Sequence, residues 1–161
     1  MCRMWIDDRG SEVLAEPECH RLLALGAKEG RHGHLGIPQQ GAPILLPLDY
    51  AVHGPDVVVR IGEGLFHQLE SHLVAFQVDG VIPVADAESG EVWSVLVQGL
   101  ATEDAGLASM GRLPQPQVVN PGDRLVRIRT DVLTGRRFSA RKDPTATSRS
   151  VDRSAMRQAS E

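Results

Sequence analysis

The sequence predicts a mainly β domain with a few short helices, in which six or so mostly antiparallel strands close into a small barrel. Two observations carry this prediction. Apolar runs of strand length, led by the β-branched Val57-Val58-Val59, are bounded by short turn signals. The helices of ten or more residues that a parallel βαβ series needs between its strands are absent. Closing such a sheet removes its exposed edges. A barrel this small fills its interior with side chains, so a ligand sits outside it, in a groove.

The elements follow in order. Residues 1–32 form a lead-in with one helix: Pro17 suits a first helical turn, Cys19, Leu22 and Leu23 make an apolar stripe, and Gly26 is the predicted stop. Residues 33–138 are strand-rich. Pro43 to Val52 reads as one hairpin arm, His53-Gly54-Pro55-Asp56 as the turn, and Val57 to Arg60 as the second arm. Gly62 and Gly64 make a bend, and a short helix is expected over 65–72. Residues 103–123 are a polar connection with Pro114, Pro116 and Pro121. Residues 139–161 hold almost no large apolar side chains and cannot offset their ordering entropy, so a disordered tail is expected.

A chain of 161 residues suggests one domain, and its net charge of −4 gives no general pull towards nucleic acid or membrane. The cysteines, Cys2 and Cys19, make neither a disulfide framework nor a C-x-x-C pair, which fits a reducing cytoplasm. The first residues turn acidic too quickly for a signal peptide, and no run approaches the roughly 20 apolar residues of a membrane span. His32 and His34 share a strand face, but no carboxylate or thiol accompanies them at ligand spacing, so no metal site is expected.

Arg60 closes the second hairpin arm just before Gly62 and Gly64. A permanent cation beside an open backbone suits an anionic group such as a phosphate. Arg127 and Arg129 lie two apart, hence on one strand face, and either add to that site or form surface ion pairs.

This arrangement resembles the pyridoxamine 5′-phosphate oxidase-like family, the FMN-binding split barrels. Residues 33–37 (GHLGI) look like its first strand. Residues 41–50 (GAPILLPLDY) are similar to its G-x-P-x-x-x-P-x-x-Y strand. Residues 73–79 (LVAFQVD) and 93–99 (WSVLVQG) match two further strands, and 125–129 and 133–137 resemble the last two.

The resemblance implies a split-barrel homodimer with two equivalent flavin sites built from both subunits. Carried over position by position, it places Arg60, Gly62 and Gly64 at the phosphate. It places Pro47, Leu48, Asp49 and Tyr50 at the ring, and Trp93 and Ser94 at a second contact that reaches the partner's flavin. The implied function is an FMN-dependent oxidoreductase acting on a small molecule. Flavin carries the electrons in such enzymes, so a missing acid–base motif is no objection. Two positions depart from the family. Phe66 stands where a lysine usually binds phosphate, and Asp49 stands where asparagine or serine is common. These departures keep other readings open: a deazaflavin such as F420, no cofactor, or a non-catalytic flavin-binding or interaction module. A haem-handling barrel lacks an evident histidine ligand. Pyridoxamine phosphate oxidation itself lacks basic residues for the substrate's phosphate. Restoring the family cation with Phe66→Lys is expected to tighten FMN binding.

Overall fold

In a computed structural model of the chain, the described residues are 5–6, 11–83, 90–104, 106 and 123–139. The predicted tail beyond residue 139, Cys2 and most of the proline-rich connection lie outside them. Nine strands and two helices follow in chain order: β1 (Trp5–Ile6), β2 (Glu12–Val13), α1 (Glu16–Lys28), β3 (His32–Ile37), β4 (Ile44–His53), β5 (Asp56–Ile61), α2 (Glu63–Leu69), β6 (Leu73–Ile82), β7 (Glu91–Glu103), β8 (Arg124–Ile128) and β9 (Val132–Ser139).

Six strands close an antiparallel ring in the order β3-β4-β5-β8-β7-β6. The ring splits at β7, whose length lets one edge serve two partners. Glu91 to Gln98 pair with β9, and Ala101 to Glu103 pair with β8. Gly99 marks the fork. A β-carbon there would overlap the carbonyl oxygen of Arg129, because the chain between β8 and β9 crosses directly over it. That crossing is held by Arg129 N–H donating to Leu100 O (3.1 Å) and Asp131 N–H donating to Gln98 O (3.2 Å). The edge of β9 then continues through β2 to β1.

The period-two alternation of the strands fills the barrel. Leu35, Ile37, Val57, Val59, Phe76, Val78, Trp93, Val95, Val97, Val126 and Ile128 all point inward and are fully buried. Helix α1 adds Cys19, Leu22 and Leu23 to the same core. Burying each leucine contributes about 1.5–3 kcal/mol.

Pro17 lies in the first turn of α1, as expected, but Gly26 is not the stop. It is inside the helix and buried, and a β-carbon on it would lie 2.5 Å from the Tyr50 hydroxyl. The helix ends at Lys28, and Gly30 just beyond it, with a φ of +71°, closes a Schellman turn with Arg31 N–H donating to Gly26 O and Gly30 N–H to Ala27 O. Arg137 of β9 ties this helix to the sheet through Glu18 at 2.6 Å. The Arg21 guanidinium, and behind it Arg137, hold the Glu18 carboxyl below the usual carboxylate range.

The second helix spans Glu63–Leu69, starting earlier than the sequence suggests because Gly62 already caps it. It stops at Leu69, before Ser71 takes a φ of +62°. The β4–β5 hairpin, with Gly54 at φ +59° in its turn, forms as predicted.

Candidate functional site

Alternation divides the expected site residues between the two sides of the barrel wall. Leu48, Tyr50 and Trp93 face the core, and Tyr50 and Trp93 are buried in it. Pro47, Asp49, Arg60 and Ser94 lie on the outer side, between these inward positions along their strands. Only the second group faces outward, and of it Ser94 lines a hollow. Tyr50 and Trp93 support that wall from behind instead of touching what lies on it.

Strand register arranges the outer group in a row. Asp49 is opposite His32, and Asp79 is opposite Ser94, which is opposite Arg136. Tyr50 pairs with Val59 at the end of the β4–β5 ladder, so Arg60 falls across from Asp49 one step further on. The row therefore runs Arg60, Asp49, His32, Asp79, Ser94 across β5, β4, β3, β6 and β7.

Arg60 is set apart by its lack of an ion pair among the described residues. Its Nε is buried without a hydrogen-bond partner, as are those of Arg127 and Arg137, but those two guanidinium groups are ion-paired through their other nitrogens. The other candidate cations are engaged. Arg127 pairs with Asp56 and Asp104, Arg129 with Asp131, and Arg124 with Glu63 and Glu103. Arg127 and Arg129 thus take the ion-pair option that the sequence left open. Beyond Arg60, neither Gly62 nor Gly64 has a positive φ, and a β-carbon on Gly64 would meet nothing within 4 Å. The protein's own packing does not require a glycine at position 64, and the space above it is open.

Phe66 is buried in the core, with the Arg124 guanidinium 5.0 Å from its ring centroid. His67, the candidate substitute cation, is exposed beside it, with the two ring centroids 5.8 Å apart.

Two hollows lie on the outer face. One, of about 390 Å³, is lined by Ser94 with Gln77, Leu96, Thr134, Arg136 and Phe138. The other, of about 610 Å³, is mostly apolar and lies between Leu45, Leu73 and Val132. Leu45 and Leu73 are 67% and 68% exposed, so this hollow opens on an uncovered apolar stripe. Sequence reading also missed the His32–Asp49 pair, whose Nδ1 and Oδ1 lie 2.5 Å apart. Among the described residues no group of three potential metal ligands converges. No helix among them is long and apolar enough to cross a membrane.

A six-strand ring splits at β7, and its β4–β5 hairpin carries Arg60 next to its end, ahead of Gly62 and Gly64. The family model for pyridoxamine 5′-phosphate oxidase matches residues 15–137, from the start of α1 to β9. The chain belongs to the pyridoxamine 5′-phosphate oxidase family. Among solved structures, an FAD-binding protein from Mycobacterium smegmatis is 26% identical, with a TM-score of 0.60, over 78% of this chain and 98% of its own. A candidate pyridoxamine 5′-phosphate oxidase from Corynebacterium glutamicum superposes with a TM-score of 0.65 at 21% identity, over 84% and 99% of the two chains. An FAD-binding protein from Mesorhizobium loti gives 0.59 at 20% identity, over 80% and 99%. The last two likenesses speak for the fold alone. No curated protein matches the chain. The family match takes in α1, so the lead-in helix is part of what this family member shares with its relatives.

Proposed function

We propose that this protein binds a flavin phosphate on the outer face of the barrel and acts as an FMN-dependent oxidoreductase on a small molecule. The observation that carries this reading is Arg60: a cation with no ion pair among the described residues and a buried, unpartnered Nε, near a strand end that leads through Gly62 to the open space at Gly64. A guanidinium left unpaired in a protein that pairs its other candidate cations suits an anion from outside. The FAD-binding M. smegmatis relative supports a flavin as that guest.

The residues fit the group. Arg60 would hold the phosphate, Asp49 and Pro47 would flank the groove towards the ring, and Ser94 would meet its far side. Bound flavin supplies two-electron chemistry, while the chain supplies position and electrostatics. The apolar stripe of Leu45, Leu73 and Val132 supports a homodimer that covers it. The buried free thiol of Cys19 agrees with a cytoplasmic protein.

A second reading, a non-catalytic flavin-binding or interaction module, is favoured by one observation. Phe66 buries an aromatic ring where the family resemblance implies a lysine, leaving Arg60 to hold the phosphate with less help.

The test is a visible spectrum of the purified protein after incubation with FMN, FAD or F420 and desalting. A retained flavin spectrum supports the reading, and retention of F420 alone moves it to a deazaflavin enzyme. Protein left colourless by all three overturns it.

A further inference from the structure

The β3–β4 ladder brings His32 and Asp49 directly opposite each other, with Nδ1 of the imidazole 2.5 Å from Oδ1 of the carboxylate. Both are on the outer face, His32 53% and Asp49 26% exposed. An ion pair so open to solvent contributes only about 0–1 kcal/mol to stability. Its chemistry is more specific. A carboxylate cannot donate, so Nδ1 carries the proton between them, and Nε2 is left to exchange one. Among the described residues, Nε2 has no partner.

The pair also has a position. His32 stands two strands from Arg60 along the outer row, about 10 Å at ordinary strand spacing. If Arg60 holds the phosphate, Asp49 and His32 would be the next two side chains of the row on the side of the ring. The charged neighbours are few. On the β3 side, Arg31 is held by Glu29 at 2.8 Å, and His34 lies two residues along the same face. Asp79 of β6 occupies the next place in the row, and Arg60 of β5 lies beyond Asp49.

We infer that His32 is the proton-exchanging residue of the flavin site and Asp49 its positioning residue, an inference that rests on the flavin reading above. In a reduction, the His32 imidazolium gives its Nε2 proton to the heteroatom of a C=O or C=N group. The carbon of that group receives the hydride from reduced flavin. The π pair moves onto the heteroatom, the flavin is left oxidised, and solvent returns a proton to the exposed Nε2. The acid–base partner that the sequence does not reveal is thereby supplied by strand register.

The test is imidazole NMR on ¹⁵N-labelled full-length protein, with FMN as the probe. In the free protein, neutral His32 should be the Nδ1–H tautomer, and Asp49→Ala should return it to the Nε2–H form. Adding FMN should shift the His32 resonances and leave those of His20, on α1, in place. Bound FMN, seen in the flavin spectrum of the same sample, with an unmoved His32 overturns this inference alone. So does an Nε2–H tautomer in the unmutated protein. No FMN bound at all overturns the flavin reading and this inference with it.

Discussion

Tyr50 donates its hydroxyl proton to the carbonyl oxygen of Leu23 across 2.7 Å, pinning the middle of β4 to α1. Its ring meets Phe76 edge-on, with centroids 5.3 Å apart. Burial, the largest cause, pushes its phenol well above the ordinary tyrosine range. It is the sole tyrosine of the chain. The folded-state value lies above the unfolded one of about 10, so the associated stability is fully present below that pH. It is lost as pH rises through the folded value. Phenolate absorbance in an alkaline titration is therefore expected to appear together with unfolding. Ionisation near pH 10 in protein whose circular dichroism is still native would contradict this burial.

Gly26 makes that contact possible. With a β-carbon 2.5 Å from the Tyr50 hydroxyl, Gly26→Ala must push the ring or the helix aside. Overpacking of this kind costs about 1–3 kcal/mol. For a chain of this size each kcal/mol lowers Tm by roughly 2–4 °C. A thermal melt should show a loss of several degrees, although helix propensity alone favours alanine. An unchanged or raised Tm would show that the helix shifts freely.

Phe66→Lys looks from the sequence like the repair of a phosphate site. The burial of Phe66 beneath Arg124 reverses that expectation. A lysine there loses aromatic packing and brings its charge near another cation, a loss of about 3 kcal/mol or more. The variant is expected to melt earlier and to bind FMN no tighter. Tighter binding in a fluorescence titration would show that the lysine reaches outward along its aliphatic stem.

Leu73 and Leu45 are the most exposed large apolar side chains among the described residues. If a second copy covers them, the double variant Leu45→Glu/Leu73→Glu should be monomeric by light scattering while the unmutated protein is a dimer. Each side chain is already in solvent within one protomer, so the monomer should keep its fold. A dimer that survives both charges places the interface elsewhere.

What could be read from the chain depended on how local each signal was. The Val57-Val58-Val59 run and the Gly54-Pro55 turn predict their hairpin because both act within a few residues. Gly26 misleads for the same reason: a glycine near a helix end signals a stop, whereas here its cause is a tyrosine two elements away. The strand β7 outruns its matched segment because its last residues pair with β8, a partner that only the fork at Gly99 provides. Arg60 stands in the expected place, but its isolation is a property of the other arginines. Arg127 and Arg129 are engaged because folding brings Asp56, Asp104 and Asp131 to them. Trp93 and Ser94 are adjacent in sequence and suggest one contact, but strand alternation sends them to opposite sides of the wall. His32 and Asp49 meet only through register, which no spacing in the chain reveals.

The central claim is that Arg60 holds a flavin phosphate. It is tested most directly by titrating FMN and riboflavin, which differ only in that phosphate, against the unmutated protein and Arg60→Ala. A charge-assisted contact of about 1.5–3 kcal/mol predicts that the unmutated protein prefers FMN by roughly tenfold to a hundredfold, and that Arg60→Ala loses this preference by weakening FMN alone. An FMN preference that persists in Arg60→Ala, with riboflavin binding unchanged, would contradict the account and place the phosphate elsewhere.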